Sequence, residues 1–346
     1  MFPERSWWIS VTRILIDVPV EKAPLAALRE VPGLDVRVIP FSESARELPR
    51  DVIEDVDVLF CTHPPSNFAD MKQVRWIQIA SSGYTQLLPL DLPAKQVRAT
   101  NARGCFDVPI AEWNIAMMIN LLRDVPQMFR NQQAHTWERS VTFTQEIRGR
   151  TLGLWGYGGL GRETARLAKF MGMRVHVLAR RGVHPAPSIY RVPGTGDPEG
   201  TLPDRTFSAE DTQQFLSDLD FLILAMPLTP QTEGLIGEKE LQALPRSAFV
   251  LNPARGAIIQ EQALLKALRE GWIAGAALDT HYYYPMPPEH PLWSFPNVIM
   301  TPHISGTSLP PIFRTRIWDL FLQNARRFQQ DDALLNELTT SELRGG

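Results

Sequence analysis

The sequence predicts an α/β fold of two domains, each built on a mostly parallel sheet. The chain has 346 residues, which at about 150 residues per domain favours two domains. Two successive blocks alternate short apolar runs with helical stretches, and this alternation is typical of βαβ units and a parallel sheet. Hydrophobic residues make up 44% of the chain and charged residues 21%, so the apolar content suffices for a folded core.

The first block occupies about the first hundred residues. Apolar runs predict strands at 13–18, 34–39, 58–62 and 76–79. An amphipathic stretch predicts a helix at 23–30. After this block, apolar residues recur at helical spacing with few charges over 108–123. A long and largely buried helix is expected there.

The second block starts at Thr151. Its predicted strands are 152–155, 175–178, 221–226, 248–251, 275–278 and 298–301, and its predicted helices are 162–171 and 262–270. Segment 182–206 is rich in Pro and Gly without periodicity, so an irregular excursion is expected. The amphipathic segment 312–328 predicts a helix that packs back on one of the domains.

Composition excludes several classes of protein. The net charge of −3 gives no basic excess for nucleic acid, and no apolar run approaches the roughly 20 residues of a membrane helix. The N-terminus MFPERSWW lacks a signal pattern, so a cytoplasmic protein is expected. Cys61 and Cys105 are too few for a disulfide framework or a zinc site, and the seven histidines show no metal-ligand spacing. No metal is expected.

Residues 156–161 read G-Y-G-G-L-G and fit the pattern G-x-G-x-x-G. In this pattern glycines provide a sharp turn, close approach of backbone N–H groups to a pyrophosphate, and tight packing of helix on strand. A tight loop is the alternative interpretation, but the motif follows a strand and opens a helix. It therefore predicts dinucleotide binding, with these cofactor-binding candidates: Gly156, Gly158, Gly159, Leu160 and Gly161.

The residues after the next predicted strand indicate which dinucleotide is bound. NAD sites normally carry an acid about 20 residues after the glycines, yet no acidic residue lies between Glu163 and Asp197. Arg180 and Arg181 stand at the expected place, and two guanidiniums suit a 2′-phosphate. A solvated basic turn is the alternative. The sequence thus favours NADP(H), with NAD(H) as the second possibility.

Several further segments, in this order and spacing, resemble the D-isomer-specific 2-hydroxyacid dehydrogenase family, which includes glyoxylate/hydroxypyruvate reductases. The resemblance extends from about residue 58 to 328. The segments that carry it are W-I-Q-I-A-S-S-G at 76–83, Ala111-Glu112, A-M-P-L-T at 225–229, N-P-A-R-G at 252–256 and T-P-H-I-S at 301–305.

This resemblance implies a cofactor domain inserted into a discontinuous substrate domain. Residues 1–107 and 309–346 would form a flavodoxin-like substrate domain, and residues 108–308 a Rossmann-like NAD(P)-binding domain. Members of the family are usually homodimers, so a homodimer is expected, with the long helix and the following arm at the interface.

The resemblance also implies roles for particular residues. Arg255 would clamp the substrate carboxylate and polarise the neighbouring carbonyl, and His303 would exchange a proton with the carbonyl oxygen. Backbone N–H groups of Ser82 and Gly83 would hold the carboxylate as well. Asp279 would take the nicotinamide carboxamide. Together with Arg255 and His303, the remaining residues implied to line the cofactor are Met226, Pro227, Thr232, Pro253 and Ala254.

One position departs from the family. Its third catalytic residue is a Glu directly before a Pro, but here 277–285 reads A-L-D-T-H-Y-Y-Y-P, which places Tyr284 at that position. We expect the Tyr284 hydroxyl to bond His303 as a neutral partner that lacks the charge to raise its pKa. Glu289 and His281 are the alternative partners nearby.

The expected function is therefore an NADP(H)-dependent reductase of a small 2-keto acid, with no nucleic-acid or membrane partner. Two alternatives stay open. The chain could retain the cofactor while its substrate or reaction has changed, which the missing Glu suggests. It could also be a cofactor-binding regulatory protein without catalysis, although Arg255 and His303 argue against this.

Overall fold

The computed structural model describes residues 11–307 and 311–345, which form two compact units of α/β type. The first unit contains residues 11–105, 188–190 and 311–345, and the second contains 106–187 and 191–307. Both sheets are parallel, with five and seven strands, so the predicted fold class is confirmed. The predicted division differs by one or two residues at each boundary, and it left segment 188–190 with the second unit.

The N-terminal part of the first unit alternates strands with short helices. Its elements are β1 (Thr12–Asp17), α1 (Lys22–Arg29), β2 (Leu34–Val38), α2 (Arg50–Ile53), β3 (Val58–Cys61), β4 (Trp76–Ile79) and β5 (Arg98–Thr100). The strand order is β2-β1-β3-β4-β5, the order of flavodoxin-like sheets. Ile14 of β1 lies opposite Val36 on one side and Val58 on the other. Strands buried on both faces explain the unbroken apolar runs in the sequence.

The second unit has a longer sheet. Its elements are α3 (Asp107–Leu122), α4 (Val125–Gln133), β6 (Thr151–Trp155), α5 (Gly159–Phe170), β7 (Arg174–Leu178), β8 (Arg205–Phe207), α6 (Thr212–Leu216), β9 (Phe221–Leu224), α7 (Glu238–Ala243), β10 (Phe249–Asn252), α8 (Glu261–Glu270), β11 (Gly275–Leu278) and β12 (Val298–Met300). The strand order is β12-β11-β10-β9-β6-β7-β8. The order reverses at β6, and ligands of such sheets bind outside the carboxyl ends of the strands near this point.

Two predicted boundaries shift for local reasons. The helix predicted at 162–171 begins at Gly159, because Gly158 is its N-cap in extended conformation (φ −77°, ψ −164°) and glycines give no hydropathy signal. The strand predicted at 221–226 ends at Leu224, where its partner strand β6 also ends at Trp155. Met226 therefore belongs to a loop at the carboxyl end of β9.

The chain returns to the first unit through α9 (Pro311–Gln329) and α10 (Thr340–Leu343). The α9 helix packs through aromatic rings, with the centroid of Phe321 4.2 Å from Phe60 and 5.3 Å from Trp76. The Trp318 indole donates to the carbonyl of Pro19 at 3.0 Å. The helix predicted at 312–328 is thus an integral part of the first unit.

A buried polar network also ties α9 to the first sheet. Asn324 is fully buried, and its amide accepts from Leu335 N and donates to Leu335 O and to Oε1 of Gln78 on β4. Gln78 Oε1 also accepts from the Thr100 hydroxyl at 2.8 Å. Each lost bond would leave a buried polar atom unsatisfied, so the network fixes the C-terminal segment in one register.

Candidate functional site

The Gly-rich turn at the carboxyl end of β6 has the geometry of a phosphate-binding turn. Gly156 has φ +104°, and a Cβ there would lie 2.6 Å from the carbonyl oxygen of Ala225. A Cβ at Gly161 would lie 2.6 Å from the oxygen of Gly156, so both positions require glycine. Gly158 differs, because a Cβ there would meet no atom of residues 11–307 and 311–345 within 4 Å. Its missing side chain leaves open space in front of the α5 N-terminus, where an anion binds favourably.

The motif does not explain why residue 159 is a glycine, since G-x-G-x-x-G permits any residue at this position. A Cβ at Gly159 would lie 1.9 Å from Oδ2 of Asp107, in the first turn of α3. Two residues 52 positions apart thus meet at the start of α5, and sequence reasoning missed Asp107. Leu160 follows in the first turn of α5 and is half-buried.

A node of buried polar groups fixes the irregular excursion to this turn. The Tyr157 hydroxyl donates to Oδ2 of Asp197 at 2.6 Å, and the Arg162 guanidinium donates to the carbonyls of Tyr157, Asp197 and His184. Asp197 also accepts from three backbone N–H groups of 200–202. Burial, followed by the bond to Asp197, raises the pKa of Tyr157 well above its ordinary value. The sequence showed the excursion but not its attachment.

Arg180 and Arg181 lie in an exposed turn directly after β7. The turn is closed by a bond from Gly182 N to the oxygen of Ala179 at 3.0 Å. Within the described ranges neither guanidinium has an acidic partner. The nearest preceding acid, Glu163, is buried and already bonds Arg166 and Gly196 N. The turn therefore presents two unneutralised cations and no carboxylate for a ribose 2′-hydroxyl.

The loops after β9 and β10 hold the residues implied to line the cofactor. The Thr232 hydroxyl donates to the Pro227 carbonyl at 2.7 Å and accepts from Thr229 N at 2.8 Å, so Thr232 closes the loop that contains Met226. After β10, the buried Asn252 side chain accepts from Ala254 N at 3.1 Å and donates to the Arg255 carbonyl at 2.8 Å. Pro253 is buried, whereas Ala254 is half-buried.

Asn252 was not among the predicted site residues. Its two hydrogen bonds shape the turn that presents Arg255, and an Asn at the end of a buried strand is a turn signal that could have revealed it. The Arg255 side chain is exposed, and its Nη1 bonds only the carbonyl of Ala254 at 2.7 Å. No carboxylate of the described residues pairs with it. A planar cation without an acidic partner is suited to a bound carboxylate.

His303 stands in a turn after β12 with a left-handed backbone (φ +56°), an unusual conformation for a residue other than glycine. Its backbone N–H donates to the Thr301 carbonyl at 2.9 Å, and the residue is exposed. Desolvation lowers the pKa of His303, and the nearby Arg255 cation lowers it further, while Asp279 acts in the opposite direction. His303 is therefore a stronger acid than an ordinary imidazolium.

Asp279 binds residues on both sides of His303 in this turn through its carboxylate. It is fully buried, and its carboxylate accepts four hydrogen bonds: from Thr301 Oγ1, Ile304 N, Ser305 N and Ser305 Oγ. A carboxylate has about four acceptor positions, so these are filled. The nicotinamide contact implied by the resemblance would need one of these bonds to give way. The four bonds fix the His303 turn, and the nicotinamide contact of Asp279 stays a prediction.

Tyr284 lies beside His303, with ring centroids 5.6 Å apart at an angle of 54°. The expected hydrogen bond from its hydroxyl to His303 is not formed. The hydroxyl instead accepts from the backbone N–H of His281, three residues earlier, at 3.1 Å. This short distance along the chain means that the backbone turns back on itself between the two residues. Glu289 is exposed and His281 is buried with Nε2 against the Thr301 carbonyl, so neither of them bonds the His303 ring.

Ser82 and Gly83 follow β4 in the first unit. The loop is held by the Ser81 hydroxyl, which donates to the Gly83 carbonyl at 2.7 Å, and by Asn101, which donates to the Ser82 carbonyl at 2.7 Å. Over residues 11–307 and 311–345, the N–H groups of Ser82 and Gly83 have no hydrogen-bond acceptor. Two free donors in a fixed loop can receive an anion.

The described residues contain no group of three or more His, Cys, Asp or Glu side chains arranged to hold a metal ion. No described helix combines the length and apolar character needed to cross a membrane.

Comparisons with known proteins agree with this geometry. A family model described as "D-isomer specific 2-hydroxyacid dehydrogenase, NAD binding domain" matches residues 115–305. A glyoxylate reductase from Thermofilum pendens is 30% identical over 290 residues, which cover 81% of this chain and 80% of that protein.

Solved structures match over nearly the whole chain. A D-isomer specific 2-hydroxyacid dehydrogenase family protein from Aeromonas salmonicida subsp. salmonicida A449 has a TM-score of 0.76 at 24% identity, covering 95% of this chain and 99% of its own. A D-isomer specific 2-hydroxyacid dehydrogenase from Xanthobacter autotrophicus Py2, solved with NADPH and MES, has a TM-score of 0.76 at 26% identity, with the same coverage.

Proposed function

Because the chain belongs to the D-isomer specific 2-hydroxyacid dehydrogenase family and is an oxidoreductase, we propose that it reduces a small 2-keto acid with NADPH. The observation that carries this proposal is the pair formed by Arg255 and His303. An unpaired guanidinium and an imidazole stand on turns after β10 and β12, close enough for the first to lower the pKa of the second. The sheet beneath them carries a dinucleotide-type turn at β6.

The residues divide the chemistry as follows. The bound cofactor would supply the hydride. Arg255 would bind the substrate carboxylate and stabilise the negative charge that develops on the keto oxygen. The N–H groups of Ser82 and Gly83 in the first unit are proposed separately as donors to an anionic group. His303, when protonated, would donate its proton to the same oxygen. In the oxidative direction, neutral His303 would remove this proton.

Substitution of the two central residues tests this proposal. Arg255→Ala should lower kcat/KM for 2-keto acids about 10²–10³-fold and His303→Ala about 10²–10⁴-fold, because each acts as charge develops in the transition state. NADPH affinity should survive in both variants. NADPH absorbance would be followed with glyoxylate and hydroxypyruvate first. Normal turnover in either variant would remove that residue from the mechanism.

Two matched controls are available in the same unit. Arg246 is an exposed arginine without an acidic partner among the described residues, and His135 is an exposed histidine with a left-handed backbone (φ +53°). Alanine at these positions should leave turnover unchanged. If they reduced it as much as the variants at Arg255 and His303, the loss would reflect a general effect on the unit.

We further propose that NADP(H) is preferred over NAD(H). The support is the exposed Arg180-Arg181 turn, which has no acidic neighbour among the described residues, and one similar structure was solved with NADPH. The double Ala variant should weaken NADPH binding and leave NADH binding nearly unchanged. The adjacent pair Arg326 and Arg327 in α9 gives a control with the same charge change. Equal affinity of the unmodified protein for both cofactors would contradict the preference.

We also propose that the protein forms a homodimer through α3 and through the arm that follows it, which runs from α4 to Val141. Three large apolar side chains of this arm are strongly exposed, with Phe129 at 60%, Trp137 at 92% and Val141 at 78%. A second copy of the chain is the proposed occupant, as is usual in the resembled family. So large an exposed apolar surface in one segment is typical of an interface.

A second candidate function rests on Tyr284. We predict that it stands at the position of the family's Glu, and its hydroxyl accepts from the backbone N–H of His281 rather than bonding His303. A protein that binds NADPH tightly but turns over neither glyoxylate nor hydroxypyruvate would have changed its substrate or reaction. Absence of any cofactor preference would favour a regulatory protein instead.

A further inference from the structure

His281 is a buried histidine next to the site, with 9% of its surface exposed. Its Nε2 lies 2.8 Å from the carbonyl oxygen of Thr301. Because a carbonyl can only accept, Nε2 must carry the hydrogen, and Nδ1 of the neutral ring then carries none. Nδ1 is buried without a hydrogen-bond partner in the described chain. Burying an unsatisfied Nδ1 costs free energy, and an apolar side chain at this position would carry no such cost. The hydrogen bond that Nε2 donates is the interaction that can offset it.

The carbonyl that His281 binds is also the one that closes the His303 turn. Thr301 O accepts from His303 N at 2.9 Å as well as from His281 Nε2. The left-handed backbone of His303 is strained and persists only where its surroundings fix it from several sides. Asp279 fixes the residues after His303, through Ile304 N and Ser305 N. His281 fixes Thr301, which lies two residues before His303.

The backbone of His281 meets the other functional turn. Gly256 follows Arg255 directly, and a Cβ at Gly256 would lie 2.5 Å from both the carbonyl carbon and the oxygen of His281. The Arg255 turn thus packs against the His281 backbone without room for a side chain. His281 therefore contacts the turn of the proposed carboxylate-binding residue through its main chain and the turn of the proposed proton donor through its ring.

We infer that His281 is a positioning residue that sets the place of His303 relative to Arg255. The inference rests on the proposed function, since it assigns roles to these two residues. The active group is the Nε2–H donor, which holds the Thr301 carbonyl and hence the turn that aims the His303 ring. The Tyr284 hydroxyl supports this arrangement by accepting from the His281 backbone N–H.

Two substitutions separate the donor from the bulk of the ring. His281→Leu fills the space without a donor, whereas His281→Gln keeps an N–H that can reach the carbonyl. The Leu variant should lose about 10²-fold in kcat, since a misplacement of about 1 Å costs this much. Its KM for NADPH should stay unchanged, and the Gln variant should recover most of the loss. Equal kcat in the Leu and unmodified proteins, or equal losses in both variants, would overturn the inference.

A measurement on the unmodified protein keeps the inference testable if the Leu variant does not fold. Imidazole ¹⁵N spectra of the full chain should show His281 as the neutral Nε2–H tautomer. The Nδ1–H tautomer would overturn the inference, because the Thr301 bond could not then exist. This result is independent of turnover. Lack of 2-keto acid reduction by the unmodified protein, together with the Nε2–H tautomer, would count against the proposed function and leave the placement of His303 by His281 standing.

Discussion

Gly158→Ala should separate cofactor binding from folding. A Cβ at Gly158 meets no atom within 4 Å, and the backbone there (φ −77°, ψ −164°) suits any residue. The methyl group would, however, occupy the open space in front of the first N–H groups of α5, where we propose that the pyrophosphate binds. Gly156→Ala is the contrasting change, because its φ of +104° and the Ala225 oxygen at 2.6 Å both exclude a side chain.

The expected magnitudes differ clearly. At Gly158, Ala is a poorer N-cap than Gly by up to about 1 kcal/mol, and the smaller entropy of the unfolded chain returns about 0.4–1 kcal/mol, so the net change in stability is near zero. Loss of one charge-assisted bond to a phosphate costs about 1.5–3 kcal/mol, or about 10- to 150-fold in the Kd of NADPH. At Gly156, strain and overpacking together cost about 2–6 kcal/mol of stability.

Two assays on each variant would test this reasoning: titration of NADPH by fluorescence and thermal unfolding by circular dichroism. Gly156→Ala should lower Tm by at least about 4 °C. Gly158→Ala should leave Tm nearly unchanged but should weaken the binding of NADPH. Gly237 provides the control, since it is the extended N-cap of α7. Gly237→Ala should not affect the Kd. The reasoning fails if Gly158→Ala binds NADPH normally, or if it unfolds as early as Gly156→Ala.

Three further outcomes are expected. The rate of reduction should fall as pH rises through the pKa of His303, which lies below its ordinary value. Tyr284→Glu should move this fall in rate to higher pH by about 1–3 pH units. Superimposable pH–rate profiles of the two proteins would contradict this prediction. Trp137→Glu should convert the proposed dimer to monomer in sedimentation equilibrium, whereas Trp293→Glu in another loop should not. Asn324→Leu should lower the free energy of unfolding by about 2–5 kcal/mol, measured by urea denaturation, and a change below 1 kcal/mol would show that the buried network contributes little.

Much of the fold could be predicted because its signals are local. The strands at 76–79 and 275–278 were placed at their observed bounds, since buried parallel strands are short apolar runs. Helix α4 and strand β5 were missed, because α4 has no buried residue and β5 has only three residues, of which Ala99 is the single apolar one. Hydropathy carries no signal for elements of that kind.

The site was predicted less completely because its geometry depends on contacts between distant residues. The conflict of a Cβ at Gly159 with Asp107, and the bond from Tyr157 to Asp197, link positions that no sequence window spans. The role of Asp279 could not be inferred either, since its four donors become visible only when the 301–305 turn is folded over β11.

Under the proposed function, the electrostatics of the second unit bear on what a Tyr at the predicted position of the Glu would change. Asp279 is the negative group that acts on His303, yet its carboxylate is already engaged by four donors and is outweighed by desolvation and Arg255. A 2-keto acid bound through its carboxylate to Arg255 would offset that cation and favour the protonated form of His303. In this proposed arrangement the substrate would supply the negative charge that we predict a Glu at 284 would otherwise provide. Under this proposal His303 would become a competent proton donor when substrate binds, which is when a charged imidazole is needed.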